Sequence, residues 1–275
     1  MFNARVLLPL EIPSALRRLG YPPKPISVAG DFSPCALCVA IVGARDATAA
    51  TIRNARRLAA LVVDAGGVVI SGGANGTDAA AHRGAIEAGG RTWCVLGCGS
   101  DYVTPREDER DDPERFSRII DNNGAIIWPY PTDAMAASQR FLTRNRVIMS
   151  LANIAIVVQA GTDSGSMNAA SHAKKLGKIL WVVPGIGKEF AGSWELIERG
   201  ARVMRSEEEL VASFNLSPVD GDAKLVLNVL GSQPKHADEI AMETGLSTPA
   251  VATALLTLAL GDVVVEGSAG MFQRK

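Results

Sequence analysis

Short apolar runs alternate with longer amphipathic stretches along most of this chain. Residues 38–42 are all apolar and mostly β-branched, and the run ends at Gly43. Residues 48–65 then repeat apolar side chains at the spacing of one helix face and stop at the glycine pair 66–67. The pattern therefore predicts a buried strand followed by an amphipathic helix.

This strand and helix unit recurs as far as residue 183. The predicted strands occupy residues 38–42, 68–71, 92–96, 125–128, 154–158 and 179–183. The predicted helices between these strands occupy residues 48–65, 77–88, 113–122, 141–151 and 166–176, and one more helix is predicted after the last strand at 207–214. Strands that are apolar on both sides and separated by helices specify a parallel sheet with helices on both faces. We therefore expect a doubly wound α/β domain whose ligands bind at the carboxyl ends of the strands.

The pattern changes after Ser217 and Pro218, which predict a linker. Three short helices are predicted at residues 223–230, 237–243 and 248–260, and a hairpin at residues 263–265 and 271–272. Three helices followed by a hairpin are the outline of a winged helix. The predicted organisation is a short N-terminal segment at 1–30, the sheet domain at 31–215 and a small C-terminal winged-helix domain at 221–275.

Composition and charge limit the functional classes. With 47% hydrophobic residues and a net charge of -1, the chain is neither a disordered polyelectrolyte nor a uniformly basic protein. From Asp220 onward there are four Lys or Arg and seven Asp or Glu, so this part carries -3 and residues 1–219 carry +2. We therefore expect any nucleic-acid site to be a local patch on the sheet domain, and the winged helix to contact protein.

The sequence predicts neither a membrane span nor a secretory signal. Its apolar runs are far shorter than the ~20 residues that a membrane helix needs. The start of the chain has no long apolar core that ends in a small-residue cleavage site. We therefore expect a cytoplasmic protein without a membrane partner.

The four cysteines, Cys35, Cys38, Cys94 and Cys98, are too few for a disulfide framework, which predicts reduced thiols. Their two closely spaced pairs offer an alternative, four thiolates for a zinc ion. Cys38 and Cys94 have apolar neighbours, which favours buried thiols over metal ligands. We predict no metal site.

Glycine-rich turns follow the first three predicted strands, at Gly43, at Gly72 with Gly73, and at Gly97. Glycines let a backbone approach a phosphate closely, and the helix that follows presents unpaired N–H groups; the alternative is plain tight turns. Residues 43–48 lack the second and third glycines of a dinucleotide fingerprint, and no P-loop sequence occurs. We therefore predict phosphate binding without a nicotinamide or other cofactor.

The segment 140–146 contains three arginines and one aromatic residue. Arginine forks bind phosphate oxygens and a phenylalanine face stacks any base, so Phe141, Arg144 and Arg146 suit a single strand. The alternative is that Phe141 belongs to the core and the arginines to a solvated helix start. Further candidates at strand ends favour binding: Arg45, Ser164, Gly165 and Ser166.

Taken together, these motifs resemble the DNA-processing protein A family, also called DprA or Smf. The matching segments, in chain order, are residues 39–45, 71–78 with 81–82, 90–99, 101–105, 141–146, 164–166 and 183–185. They cover roughly residues 35–186, and the predicted winged helix agrees with the family. Because the segments keep the family's order, the resemblance is more specific than any single motif.

The resemblance implies an extended Rossmann-like fold, sequence-independent binding of single-stranded DNA and no catalysis. It also implies that the protein loads a RecA-type recombinase during natural transformation and forms a homodimer. By the same resemblance, the residues that line the DNA pocket are Gly43, Arg45, Gly72, Gly73, Phe141, Arg144, Arg146, Ser164, Gly165 and Ser166.

Two alternatives remain open on the sequence alone. A related branch, the lysine-decarboxylase-like phosphoribohydrolases, hydrolyses nucleoside monophosphates, and a nucleotide sensor would use the same pocket. The hydrolases need a glutamate in a P-G-G-x-G-T-x-x-E motif, and this chain has no carboxylate at that position after Gly161 and Thr162. Asp78 and His82 lie one helical turn apart, as an acid–base pair would. We instead expect Asp78 to favour the helix N-terminus and His82 to bond locally.

Overall fold

The computed structural model describes residues 2–20, 23, 25–102, 114–214, 221–230, 234–260, 264–267 and 270–274. The chain divides into two compact units, Met1–Leu216 and Ser217–Lys275. In the described part of the chain, no helix has both the length and the apolar character to cross a membrane. The predicted linker at Ser217 and Pro218 lies outside the described residues, as do positions 103–105, 113 and 263 of other predicted segments.

The larger unit is built on a sheet in which nine strands are described. They are β1 (Arg5–Val6), β2 (Ser27–Gly30), β3 (Cys38–Val42), β4 (Val68–Gly72), β5 (Thr92–Val95), β6 (Ala125–Trp128), β7 (Ile154–Val157), β8 (Ile179–Val182) and β9 (Arg202–Val203). Their order across the sheet is β1-β2-β6-β5-β4-β3-β7-β8-β9. Across the sheet from β6 through β5, β4, β3, β7 and β8 to β9, each strand is parallel to the next. This confirms the predicted parallel sheet.

Helices cover both faces of this sheet. They are α1 (Ser14–Arg17), α2 (Ala49–Asp64), α3 (Thr77–Glu87), α4 (Arg115–Asp121), α5 (Ser138–Leu151), α6 (Gly165–Lys175), α7 (Ala191–Glu198) and α8 (Glu207–Phe214). Val39 and Ile41 of β3 face the core formed with α2, α3 and α8. Ala40 and Val42 face the opposite core, which α5 and α6 complete. The alternation explains why every residue of this strand is apolar.

The prediction that the sheet begins at residue 38 is wrong. β2 already pairs antiparallel with β6, with Val28 opposite Ile127, and β1 pairs with β2. Ile26 and Val28 are buried, but polar Ser27 separates them and Pro25 precedes them. A strand this short beside prolines carries little signal of its own, because its stability comes from the neighbouring strand.

The order of the strands places a topological switch point between β3 and β7. From β3 the chain moves through β4 and β5 to β6, and it then returns to lay β7 on the other side of β3. The connections that leave β3 and β7 therefore diverge at the carboxyl edge of the sheet. In open α/β sheets, this crevice is where ligands bind.

The smaller unit has the predicted outline of three helices and a hairpin. It contains α9 (Gly221–Val229), β10 (Lys235–His236), α10 (Ala237–Thr244), α11 (Thr248–Leu260), β11 (Val264–Glu266) and β12 (Met271–Arg274). The unpredicted strand β10 pairs with β12 and turns the hairpin into a three-stranded sheet. Ile240, Val251 and Leu255 lie in the core of this unit.

Candidate functional site

A buried glutamine joins the two connections that diverge at the switch point. Gln159 follows β7 and is 1% exposed. Its Oε1 accepts hydrogen bonds from the Thr48 amide at 3.1 Å and from the Thr51 hydroxyl at 2.6 Å, and its Nε2 donates to the Asp46 carbonyl at 3.5 Å. Gln159 therefore fixes the loop that carries Arg45. We missed this residue on the sequence, where its signal is one amide directly after an apolar strand.

Arg45 and Phe141 meet at this edge of the sheet. The guanidinium carbon of Arg45 lies 5.1 Å from the centroid of the Phe141 ring, a cation–π distance. Arg45 is exposed and Phe141 is half-buried. A Cβ on Gly97 would come within 2.7 Å of the ring, so the glycine-rich turn after β5 makes room for this aromatic side chain.

The other predicted glycines make room for protein side chains. Gly72 and Gly73 are buried, and a Cβ on Gly72 would overlap the guanidinium of Arg144. A Cβ on the half-buried Gly43 would overlap the Thr77 hydroxyl. The structure therefore does not bring Gly72 and Gly73 to the surface, where we expected them to approach a phosphate.

Arg144 also lies inside the protein. Its side chain is 6% exposed; Nη1 donates to the Val95 carbonyl at 2.7 Å, and Nη2 lies 3.9 Å from the Asp78 carboxylate. Burial raises the pKa of Asp78, and the positive charge of Arg144 opposes this rise. Arg144 therefore ties α5 to β5 and α3, in contrast to the predicted place in a DNA pocket.

Arg146 takes a different position, two residues further along α5. It is half-buried and lines a cavity of 190 Å³ with Pro129, Tyr130 and Thr143. The Tyr130 hydroxyl donates to the Arg140 carbonyl at 2.8 Å, and burial raises its pKa, so the phenol is neutral near pH 7. Arg146 therefore brings a positive charge to a partly open surface at the end of β6.

The loop before α6 offers a helix N-terminus at the same edge. Ser164 makes no cap bond to α6; its hydroxyl instead donates to the Gly161 carbonyl at 2.8 Å. The first N–H groups of a helix have no partner within the helix, and such groups attract anions. Asn145, which we missed, donates from Nδ2 to the Gly165 carbonyl and to the Asn168 amide oxygen, both at 3.1 Å. It thereby joins α5 to α6.

At the starts of α2 and α3, backbone N–H groups already donate to other groups of the protein. Thr48 caps α2 through the amide of Thr51 at 3.1 Å. The amide and the hydroxyl of Thr77 both donate to the Ala44 carbonyl, at 3.1 and 3.0 Å. These bonds use N–H groups that we expected to meet a phosphate, and they hold the Arg45 loop against α3.

The Asp78 and His82 pair has a structural role. Asp78 lies in the first turn of α3, as expected. The expected local bond of His82 is wrong: its Nε2 bonds the Gly72 carbonyl at 2.9 Å and its Nδ1 bonds the Thr92 hydroxyl at 2.7 Å. Burial lowers the pKa of His82 to about 3. Both side chains are under 9% exposed, so this pair does not meet a substrate in this structure.

The predicted site residues thus fall into two groups. Those that are exposed or half-buried are Gly43, Arg45, Phe141, Arg146, Ser164 and Gly165. Those that are buried are Gly72, Gly73, Arg144 and Ser166. We refer to Arg45, Phe141, Arg146, Ser164 and Gly165 as the edge surface.

The four cysteines do not gather around one point. Cys38 belongs to the core beneath α5, whereas Cys94 and Cys98 belong to the core beneath α4. Among the described residues, no three His, Cys, Asp or Glu side chains come close enough to share a metal ion.

Comparison with known families covers both units. Residues 6–215 match the family model described as DNA recombination-mediator protein A. Residues 211–270 match the model described as the DprA winged helix domain. The match to the first model extends over more than half of the chain.

Individual relatives agree with these matches. A DNA processing protein DprA of Mycobacterium tuberculosis is 37% identical over 174 residues, which are 62% of this chain and 43% of that protein. Protein Smf of Escherichia coli is 28% identical over 242 residues, 81% of this chain and 64% of that protein. The chain thus spans less than half the length of the Mycobacterium tuberculosis relative.

Two solved structures share the fold. DNA processing protein A of Helicobacter pylori, described for its single-stranded DNA binding mode, has a TM-score of 0.69 and 32% identity, over 77% of this chain and 95% of that one. DprA of Streptococcus pneumoniae has a TM-score of 0.67 and 25% identity, over 78% of this chain and 74% of that one.

Proposed function

The chain belongs to the DNA recombination-mediator protein A family, and on that premise we propose that its edge surface binds single-stranded DNA without sequence preference. The observation that carries the proposal is the pair of Arg45 and Phe141 at the switch point, where the two side chains lie 5.1 Å apart. An aromatic face and a guanidinium together match one base and its phosphate. The single-stranded DNA binding described for the Helicobacter pylori relative supports the proposal.

Phe141 binds the base of one nucleotide, and Arg45 binds the neighbouring phosphate. An arriving base takes the place of the guanidinium on the Phe141 ring, because every base has a π-face that stacks on an aromatic side chain. Arg45 is exposed, so it swings outward and pairs with the neighbouring phosphate. Neither contact reads the edge of a base, which is why binding is independent of sequence.

Two further groups bind backbone phosphates along the same edge. Arg146 supplies a second guanidinium beside Tyr130. The start of α6 at Gly165 supplies backbone N–H groups and the positive end of the helix dipole. Gln159 and Asn145 are positioning residues, because they hold the loop of Arg45 and the start of α6 without facing the strand themselves.

The proposal includes no catalytic step. Asp78 and His82 are the acid–base candidates of the sequence, and both are buried and bonded within the protein. Hydrolysis of a nucleoside monophosphate would need a carboxylate that reaches the bound sugar. A hydrolysis assay on nucleoside monophosphates tests this point, and turnover that His82→Gln abolished without unfolding the protein would contradict it.

We further propose that the protein is a homodimer that loads a RecA-type recombinase onto the strand it holds. Support comes from the recombination-mediator description of the family. The test is RecA-dependent ATP hydrolysis on DNA already covered by a single-strand binding protein. We expect this protein to shorten the lag before hydrolysis, and an unchanged lag would contradict the loading role.

Fluorescence anisotropy with oligothymidine and oligocytidine tests the DNA-binding proposal. Arg45→Ala should weaken binding to both and make the dependence of log K on log salt shallower by about 0.7. Phe141→Leu should weaken binding about tenfold and leave that slope unchanged, because it removes stacking and no charge.

Arg57→Gln is the matched control. Arg57 is an exposed arginine of α2 that pairs with Glu207 away from the edge surface. We expect this variant to bind like the wild type. If Arg45→Ala and Phe141→Leu bound no more weakly than Arg57→Gln, the edge surface would not be the DNA site.

A further inference from the structure

A second cavity lies between α2, α3 and α4. Its volume is 440 Å³, within the roughly 300–1,000 Å³ of small-molecule sites. Four arginines and two isoleucines are prominent in its lining: Arg56, Arg83, Arg115, Arg118, Ile52 and Ile86. The cavity thus combines positive charge with an apolar wall, which suits a phosphate joined to a sugar and a base.

The charges that line the cavity do not cancel. Two carboxylates partly offset the four arginines: Glu87, the carboxylate among the described lining residues, pairs with Arg56, and Glu114, outside the lining, pairs with Arg118 at 3.1 Å. Arg115 is 5% exposed and donates to neutral oxygens, the Gly73 carbonyl at 2.8 Å and the Asn75 amide oxygen at 3.2 Å. The lining groups therefore keep a net positive charge, part of it held in a site with little solvent. An anion gains more from such a charge than from one on an open surface.

The cavity adjoins the edge surface through one turn. Asn75 and Gly76 line the cavity, and Gly76 has φ 74°. A Cβ on Gly76 would overlap the Arg45 carbonyl, so the turn packs directly beneath the Arg45 loop. The rim of this cavity is therefore adjacent to the Arg45 loop.

The two sites lie on opposite sides of the sheet edge. Phe141 and Arg146 belong to α5, which packs on the face with Ala40 and Val42. The cavity lies among α2, α3 and α4, and α2 and α3 pack on the face with Val39 and Ile41. A ligand that occupied both would cross the carboxyl edge at the switch point.

We propose that the cavity is a second nucleotide subsite, which takes a phosphate and its nucleoside from the same single strand after the strand has crossed Arg45. This inference rests on the proposed single-strand function. It adds the path that the strand takes across the carboxyl edge of the sheet, from Arg45 to the cavity. Arg83 contacts the phosphate from the exposed rim, and Arg118 does so with the donors that its pair with Glu114 does not use. The apolar wall with Ile52 contacts the nucleoside. Arg115 positions the turn between the two sites.

Anisotropy titrations with short and long oligothymidines test the subsite. We would compare Arg83→Gln and Arg118→Gln with Arg57→Gln, which removes one exposed arginine of α2 outside the cavity lining. With an oligomer of about 20 nucleotides, each cavity variant should bind about threefold or more weakly, with a salt slope shallower by about 0.7. With an oligomer of about 4 nucleotides, held at the edge surface alone, the variants should match the control.

Two results would overturn the subsite. One is that Arg83→Gln and Arg118→Gln match Arg57→Gln at both lengths while Arg45→Ala weakens both, which leaves the proposed function intact. The other is that free thymidine 5′-monophosphate binds in a way that needs Arg83 while oligothymidine binding does not, because the cavity would then serve a free nucleotide. If Arg45→Ala also changed nothing, the single-strand function itself would have failed.

Discussion

Arg144 and Arg146 stand two positions apart in α5 and serve different purposes. Two residues along an α-helix turn the side chain by about 200°, so the two guanidiniums point to different sides of the helix. Arg144 bonds the Val95 carbonyl and approaches the buried Asp78, whereas Arg146 reaches a partly open cavity beside Tyr130. Arg144 therefore contributes to stability, whereas Arg146 lies where a strand can reach it.

Two parallel substitutions separate these purposes. Arg144→Gln should lower the free energy of unfolding by about 1–3 kcal/mol, because it removes the bond to the Val95 carbonyl and one of the two arginine charges that act on the buried Asp78 carboxyl. Arg146→Gln should lower that free energy less than Arg144→Gln does, because Arg146 is only half-buried, and it should make the salt slope of DNA binding shallower by about 0.7. Urea unfolding and anisotropy measure the two effects. An Arg144→Gln protein with wild-type stability and a shallower slope would place Arg144 on phosphate instead.

His82 holds two strands together as a neutral imidazole. The Gly72 carbonyl accepts only, so the neutral imidazole carries its proton on Nε2. Nδ1 lies 2.7 Å from the Thr92 hydroxyl, whose oxygen also lies 2.8 Å from the Val69 carbonyl. Burial lowers the pKa of His82 to about 3, against 6.5 for an ordinary histidine. Between these two values the unfolded chain binds a proton that the folded chain does not.

The stability that His82 contributes should therefore be present above pH 6.5 and be lost as the pH falls towards 3. Over this range, the wild type should lose up to about 1.4 kcal/mol per pH unit more than His82→Gln. Asp78 acts with the opposite sign, because burial raises its pKa, and it is present in both proteins. Urea unfolding at several pH values gives the difference, and parallel curves would show that His82 is not buried in its neutral form.

At the scale of elements, the connections after β3 and β7 depend on one side chain. Gln159 binds the start of α2 at Thr48 and Thr51 and the loop at Asp46. Because it holds both the helix start and the Arg45 loop, its removal acts on folding and on binding together.

Gln159→Ala should lower the free energy of unfolding by about 1–3 kcal/mol, since it leaves buried partners without their hydrogen bonds. It should also weaken DNA binding more than Arg57→Gln does, and hydrogen exchange at the Thr48 amide should become faster. Exchange measured by NMR and anisotropy on the same preparation give the two values. Unchanged exchange at Thr48 would mean that the capped start of α2 holds the loop without Gln159.

At the scale of the whole molecule, the two units differ in net charge. Residues 1–219 carry +2 and residues 220–275 carry -3. Helix α11, which follows the turn after α10, contains no Lys, Arg, Asn or Gln. Such a helix offers neither a cation nor a side-chain amide to base edges or phosphates, and its Thr253 and Thr257 hydroxyls donate to carbonyls of the helix itself. We therefore expect the winged helix to contact protein.

A chain that ends at Leu216 should therefore keep its affinity for oligothymidine within about threefold of the full chain. Circular dichroism and size-exclusion chromatography would show whether the shortened chain remains folded and in the same oligomeric state. Loss of binding in a shortened chain that passes both checks would assign DNA contacts to the winged helix.

The sequence by itself determined the main course of the fold. Runs that are largely apolar predicted β3 to β8, because a strand covered on both faces has few polar side chains; Ser71 of β4 and Thr92 of β5 are buried exceptions. Glycine stops and apolar spacing predicted the helices α2 to α6 within a few residues, since both signals are local. The motifs at 43–45, 141–146 and 164–166 are also short sequence segments. They indicated a site at the carboxyl edge of the sheet and the resemblance to the family.

Only the tertiary structure decided which of those residues reach the surface. Gly72 and Arg144 belonged to motifs as prominent as those of Arg45 and Phe141, yet both are buried. Arg144 is held by Val95 and Asp78, which lie far from it in the chain, and no local pattern records such partners. The cavity lined by Arg56, Arg83, Arg115 and Arg118 exists for the same reason: its arginines come from three helices, and only the packing of those helices brings their charges together.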